Sequence, residues 1–266
     1  MVAPDKYTAE KILWIHPWAP NLFSFRLTRY AGFRFTPGQF ARLGVGKPDP
    51  DNPRNPSGTR IVWRAYSIVS ASYDEHLEFF SIVVPGGDFT SELSRLKVGD
   101  TVFVEKMNYG FLTCDRFEQG KDLWLLATGT GLAPFISILW EPKTWDDYEN
   151  LILVHSVRYP NELAYRATIE GFREQEHLRE QAGKLRYVQV VTRASVPGTL
   201  GQRIPALIDS GQLEHHVRMS LDLQRSRVMI CGNPEMVTDT RKRLTARGFA
   251  TSRRGVPGQL AVENYW

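Results

Sequence analysis

The chain has 266 residues, 42% of them apolar, and carries 33 basic against 29 acidic side chains, which suffices for two ordinary domains, each with its own core. Two cysteines, Cys114 and Cys231, exclude a disulfide framework, a cysteine-ligated zinc site and a four-cysteine iron–sulfur cluster, so no metal site is expected and redox chemistry would need an organic cofactor. The sequence pI near 9.1 does not make a nucleic-acid binder, because the charge splits evenly, 14 basic against 12 acidic residues through Phe117 and 19 against 17 after it; no apolar run reaches a membrane span, and no signal pattern opens the chain, so a cytoplasmic protein is expected.

In chain order, the first half alternates with period two over 23–29, 39–45, 64–70, 76–84 and 101–107, and Pro-Gly, Gly-Gly and Gly-Asp turns separate the runs. This pattern predicts an antiparallel β-barrel. The stretch 46–60, rich in Pro, Asn and Gly, reads as a surface loop, and one short helix is expected over 89–96, capped by Thr90 or Ser91. Within the strand RAYS (64–67), Arg64 and Tyr66 share one face while Ala65 and Ser67 share the other. An arginine beside an aromatic suits a phosphate and a flat ring, but the tetrapeptide in isolation reads first as an exposed cation–aromatic pair.

After residue 118 apolar strands (123–127, 151–155, 186–191, 227–231) alternate with helix-like stretches, notably 162–181 and 234–248. That rhythm predicts a Rossmann-like α/β domain with a parallel sheet, residues 118–266, following a barrel domain over 1–117. In ATGTGLAPF (127–135) the turn Gly129-Thr130-Gly131 links a strand to a helix, as a pyrophosphate cradle does, although Ala133-Pro134 stands where a full fingerprint has its third glycine. Pro134 fits the first turn of the helix. The second strand ends in Arg158 rather than an acidic residue, and Arg193 and Arg203 follow at the next strand end and beyond it. Each alone reads as a surface residue; together they favour a 2′-phosphate, hence NADP over NAD. Cys231 ends an apolar strand, where an inert buried cysteine is the plain alternative to a functional one. Arg241, Lys242, Arg243, Arg247, Arg253 and Arg254 form a basic run without an acidic residue, equally a solvated face or a docking surface for an acidic partner.

RAYS, GGDFTSEL (86–93), ATGTGLAPF, CGNPEMV (231–237) and the acidic-aromatic ENYW (263–266), in this order over nearly the whole chain, resemble the ferredoxin–NADP reductase family, specifically its bacterial ferredoxin/flavodoxin reductases. The resemblance implies FAD held by Arg64, Ala65, Tyr66 and Ser67, capped by Asp88, Phe89 and Thr90, and covered by Tyr265 and Trp266. It implies NADP held by Gly129, Thr130, Gly131, Arg158, Arg193 and Arg203, with Thr130 also near the flavin and Cys231 beside the nicotinamide. Ser67, Cys231 and Glu263 are the implied catalytic residues, Glu263 as a proton carrier.

The implied activity is hydride transfer from NADPH to flavin N5, then release of single electrons to ferredoxin or flavodoxin by a monomeric enzyme. Such carriers are usually acidic, which makes the 241–254 run a candidate docking face. Two other readings are carried: an NAD(P)H-dependent flavin reductase with a free small-molecule acceptor, and a nucleic-acid-binding barrel.

Overall fold

The alternating half forms six strands, β1 (Tyr7–Ala19), β2 (Leu22–Thr28), β3 (Phe40–Pro48), β4 (Thr59–Ser67), β5 (His76–Ile82) and β6 (Thr101–Tyr109), in a computed structural model that describes residues 6–49 and 58–264. They make one antiparallel sheet in the order β4-β3-β6-β1-β2-β5. A bridge between Ile68 and Phe79, with Val69 N–H donating to the Glu78 carbonyl at 2.8 Å, joins the two edges into a barrel. Phe25, Leu27, Leu43, Phe79 and Val102 point inward and fill it. Beyond that bridge the described pairings contain no ladder between β4 and β5, so a seam stays open there.

Three expectations for this half are corrected. No strand was read over 7–19, because Ala9, Glu10 and Lys11 are weak strand formers; the segment is extended because two neighbours share it. Tyr7–Lys11 pairs with β6 and Ile12–Ala19 with β2, and register shifts after Ile12 and Pro17 bend the strand around the barrel. The 46–60 stretch is strand at both ends, with Pro48 paired to Thr59, while 50–57 lies outside the described residues. The short helix α1 (Thr90–Leu93) starts after Phe89 and has no side-chain cap. The Thr90 hydroxyl instead accepts the Val84 N–H at 3.0 Å, closing the Pro85-Gly86 turn.

The second half is a parallel sheet of β7 (Asp122–Thr128), β8 (Asn150–Val157), β9 (Leu185–Val191), β10 (Ser226–Gly232) and β11 (Leu260–Asn264), in the order β11-β10-β7-β8-β9. Helices α2 (Ala133–Trp140), α3 (Pro142–Asp147), α4 (Arg166–Gly171), α5 (Ile204–Asp209), α6 (Gln212–Val217) and α7 (Pro234–Ala246) connect the strands. The expected helix over 162–181 is broken. Its apolar spacing is real, with Ala164, Ile169, Phe172 and Leu178 all buried, but Tyr165 adopts φ 60° before α4 and Gln175 is extended after it, leaving 3₁₀ turns on either side. Helix α7 forms as expected, capped by the Asn233 side chain, which accepts the Glu235 and Met236 amides at 3.0 and 3.2 Å.

Helix α2 decides how the halves meet. Every residue from Ala133 to Leu139 is buried, as expected of a helix that is apolar all round. One core cluster joins its side chains to Val69, Phe80 and Leu112 of the barrel and to Leu125 and Cys231 of the parallel sheet. The Ser137 hydroxyl ties the two by donating to the Ser70 carbonyl at 2.8 Å. Among the described residues no helix is long and apolar enough to cross a membrane.

Candidate functional site

A cavity of about 630 Å³ occupies the open seam between β4 and β5 and reaches across to the parallel sheet. Its barrel wall comes from Arg64, Ala65, Tyr66 and Ser67 on one strand and Phe80, Ser81 and Ile82 on the other; Thr130, Ala133 and Asn264 close it from the second half. The volume lies within the range of pre-formed ligand sites, and apolar walls with few polar groups are the usual lining of one. Tyr66 is fixed in place, its hydroxyl 2.9 Å from Ser81 Oγ and its ring 5.3 Å from that of Phe89. Burial pushes its pKa up to about 12, so the phenol stays neutral, despite the opposing Ser81 hydrogen bond.

Polar groups sit at the mouth. Arg64 is exposed and braced by the Trp63 carbonyl at 2.8 Å. Asp88 lines the rim, paired with Lys47 and, at 3.5 Å, with Arg60; the hydrogen bond from Lys47 holds its carboxyl below the usual range. Of the sequence-derived set, Arg64 through Ser67, Asp88, Phe89, Thr90 and Thr130 all line this one cavity. Tyr265 and Trp266 lie outside the described residues.

Behind it lies the carboxyl edge of the parallel sheet. The strand order reverses at β7, whose flanking strands are β8 and β10, and ligands of open α/β sheets bind at such a switch point. The turn Gly129–Leu132 begins with Gly129 at φ 51°. A Cβ on Gly131 would strike the Cys231 carbonyl, and one on Gly232, at φ 128°, would strike Thr128. These glycines let two loops touch by backbone. The Thr128 hydroxyl accepts the Asn233 N–H at 2.8 Å and locks the pair.

The three arginines fall on the same edge. Arg193 N–H donates to the Arg158 carbonyl at 2.9 Å, and Leu200, held along β9 through its bonds to Gln189 and Val191, returns the chain toward Arg203 before α5. Arg158 already has a partner, since its guanidinium donates to Glu162 at 2.7 Å. Burial opposes the charge on Glu162, but this bond and the Arg158 and Tyr159 amides outweigh it and hold the carboxyl below the usual range.

Ser67, Cys231 and Glu263 converge where the halves meet. Cys231 and Glu263 stand opposite each other on β10 and β11, and the Ser67 hydroxyl donates to Glu263 Oε1 at 3.3 Å. Burial raises the Glu263 carboxyl to about 7, a shift the Ser67 bond only partly offsets. A group that titrates near neutrality beside a cavity is suited to holding and delivering a proton. The strand β11 that carries it has no strand pattern of its own and is extended because it pairs with β10.

Two further residues were missed. His155 is buried at the end of β8, with Nε2 3.1 Å from the Gly129 carbonyl. Burial drives its pKa down to about 4, so at neutral pH the imidazole is uncharged and Nε2–H can hold the glycine turn. Ser81 was missed because its role depends on β5 lying across the seam from Tyr66, which no local pattern states. The basic run at the end of α7 and in the segment after it is partly committed: Arg243 pairs with Asp209 at 2.6 Å and Arg247 with Glu214 at 2.9 Å, while Arg241, Lys242, Arg253 and Arg254 are exposed.

Residues 125–242 match the family model for an oxidoreductase NAD-binding domain. Ferredoxin–NADP reductase A of Sorangium cellulosum is 41% identical over 97% of this chain and 89% of its own length. Flavodoxin/ferredoxin–NADP reductase of Escherichia coli K12 is 39% identical over 96% and 97%. Among solved structures, a ferredoxin NADP+ reductase from Neisseria gonorrhoeae with bound FAD and NADP superposes with a TM-score of 0.87 at 38% identity, covering 98% of this chain and 99% of its own.

Proposed function

Because the chain belongs to the ferredoxin–NADP reductase family, we infer that it is an FAD-dependent enzyme that moves electrons between NADPH and ferredoxin or flavodoxin. The flavin-reductase and nucleic-acid readings give way to this one. The observation that carries it is a single cavity walled by both halves, with the Ser67, Cys231 and Glu263 side chains at their junction.

When bound, FAD supplies the exchange between two-electron hydride chemistry and single-electron release. We propose that residues 1–117 form the flavin half and 118–266 the NADP half. The residues fit both groups: a flat slot with a neutral tyrosine in its wall suits a ring system, and a backbone cradle that a Cβ would fill suits a pyrophosphate. Arg64 would bind the flavin pyrophosphate, aided by the amides around Asp88 to Thr90, and Tyr66 would lie against the ring. Gly129, Thr130 and Gly131 would hold the NADP pyrophosphate, and Arg158, Arg193 and Arg203 its 2′-phosphate. Cys231 shapes the nicotinamide end by contact. Glu263, protonated below about pH 7, would hold a proton on Oε1 or Oε2 and pass it by way of Ser67 Oγ. Tyr265 and Trp266 would cover the flavin.

For the carrier, we propose that the exposed Arg241, Lys242, Arg253 and Arg254 steer an acidic partner at long range rather than touch it at the point of transfer. Helix α7 starts at the site edge and carries Arg243 and its neighbours away from it, over ~20 Å for 13 residues.

An anaerobic titration of the FAD-loaded protein tests the whole reading. NADPH should bleach the flavin's visible band and NADH should do so poorly, after which oxidised ferredoxin or flavodoxin restores it. A protein that takes up no flavin sinks the assignment of the barrel cavity.

A further inference from the structure

Tyr165 has φ 60°, in the left-handed region that disfavours a bulky side chain, yet its side chain is buried. The turn aims its ring off the parallel-sheet half and into the barrel. There the ring packs against Phe80 at 5.2 Å and Trp18 at 4.9 Å. A directional chain of hydrogen bonds follows. Trp18 Nε1 donates to Ser24 Oγ at 2.8 Å, the Ser24 hydroxyl donates to the Tyr165 oxygen at 2.5 Å, and the Tyr165 hydroxyl donates to Glu78 Oε1 at 2.7 Å. Arg26 holds the other oxygen of Glu78 at 2.7 Å. Burial and the neighbouring Glu78 push the phenol well above its usual pKa, so it remains a donor.

Phe80, the ring against Tyr165, is itself a wall of the cavity. At the other end of the same short segment stands Arg158, tied by Glu162. Residues 158–165 therefore span from the arginine cluster to the back of the slot wall: the Arg158–Glu162 pair stiffens the segment, the Arg193 N–H holds its start through the Arg158 carbonyl at 2.9 Å, and the Tyr165–Glu78 bond holds its end.

We propose that Tyr165 is a positioning residue that holds the Arg158 pocket in register with the slot behind Phe80, so that an NADPH and a flavin bound at their separate sites meet in a productive pose. The proposal rests on the assignment of those sites above. Tyr165 touches neither ligand in it, so the hydroxyl governs how often both are aligned rather than how tightly either binds.

The test is single-turnover reduction of the FAD-loaded enzyme by saturating NADPH. Tyr165→Phe should slow reduction about tenfold or more, while FAD content and the NADPH dissociation constant stay within about twofold, since small displacements cost rate steeply. Glu78→Gln keeps an oxygen acceptor for the phenol and should retain most of the rate. The double variant should be no slower than Tyr165→Phe alone. Ile169→Val, a buried change in α4, serves as a stability-matched control and should not slow reduction. An unchanged rate in Tyr165→Phe, or equal slowing in Ile169→Val at equal loss of Tm, overturns the positioning role. If Arg158→Ala leaves NADPH affinity intact, the pocket assignment fails and the proposal falls with it; if Arg158→Ala behaves as assigned and Tyr165→Phe is silent, only the positioning role is lost.

Discussion

In the barrel, room for a ligand comes from strands left unjoined: β4 and β5 meet at Ile68 and Phe79, and side chains such as Tyr66, Phe80 and Ser81 wall the gap beyond. At the edge of the parallel sheet, the corresponding surface comes from backbone drawn together, Gly131 against the Cys231 carbonyl and Gly232 beside Thr128. A side-chain wall gives way by degrees when altered, because neighbours can repack. A backbone contact has no such slack, so the two halves should respond differently to changes of similar size.

The sharpest break of that comparison is Gly131→Ala. Its Cβ has nowhere to go against a carbonyl of β10, so either the turn or the strand must move. Urea unfolding should show a loss of about 2–4 kcal/mol, and NADPH-driven flavin reduction should fall more than about a hundredfold. Retention of FAD should suffer far less, because the barrel wall is untouched.

Next come two buried groups, both on the parallel sheet, whose effects on stability oppose each other. His155 has its folded pKa lowered to about 4, so the unfolded chain takes up a proton first and stability is lost as pH falls from about 6.5 toward 4, by up to about 3 kcal/mol. Glu263 has its folded pKa raised to about 7, so the folded state keeps a proton that the unfolded chain has released. Its contribution is full below about 4.5 and disappears as pH rises through 7, amounting to up to about 3 kcal/mol. Unfolding of Glu263→Gln across pH 4 to 8 should therefore fall more steeply on the acid side than the parent, while His155→Asn should flatten or invert that limb. In turnover, Glu263→Gln should also lose the decline expected above about pH 7.

A smaller effect separates the two nucleotide preferences. Arg158→Ala should raise KM for NADPH about tenfold, near 1.4 kcal/mol, and leave NADH almost unchanged. Equal effects on both would remove the 2′-phosphate from this edge. Smallest of all, Asp88→Asn breaks only exposed ion pairs with Lys47 and Arg60, and flavin content should change by less than about twofold, as surface pairs contribute little.

Legibility followed the same division. The RAYS strand and the glycine turn could be read because each is local: alternation or a φ requirement. The strands β1 and β11 were not, because neither has a distinctive pattern and both owe their conformation to neighbours far along the chain, β2 and β6 for one, β10 for the other. The helix expected over 162–181 failed at Tyr165, whose apolar spacing suits a helix but whose hydroxyl is bound by the barrel. Glu263 was named by resemblance, yet its raised pKa comes from burial beside Ser67 and Gly110, which no sequence pattern records.

The bond between Ser67 and Glu263 joins residues 196 positions apart, and this bears on the order in which the molecule can assemble. All six barrel strands are complete by Tyr109, so during synthesis the slot between β4 and β5 can exist long before β11 has left the ribosome. Contacts between distant segments form late because the chain between them must first be ordered. A newborn barrel would then carry only the β4 and β5 walls of the cavity, since Thr130, Ala133 and Asn264 of the second half complete it later. The cavity and the carboxyl beside it are therefore finished together, when β11 docks at the edge of the parallel sheet.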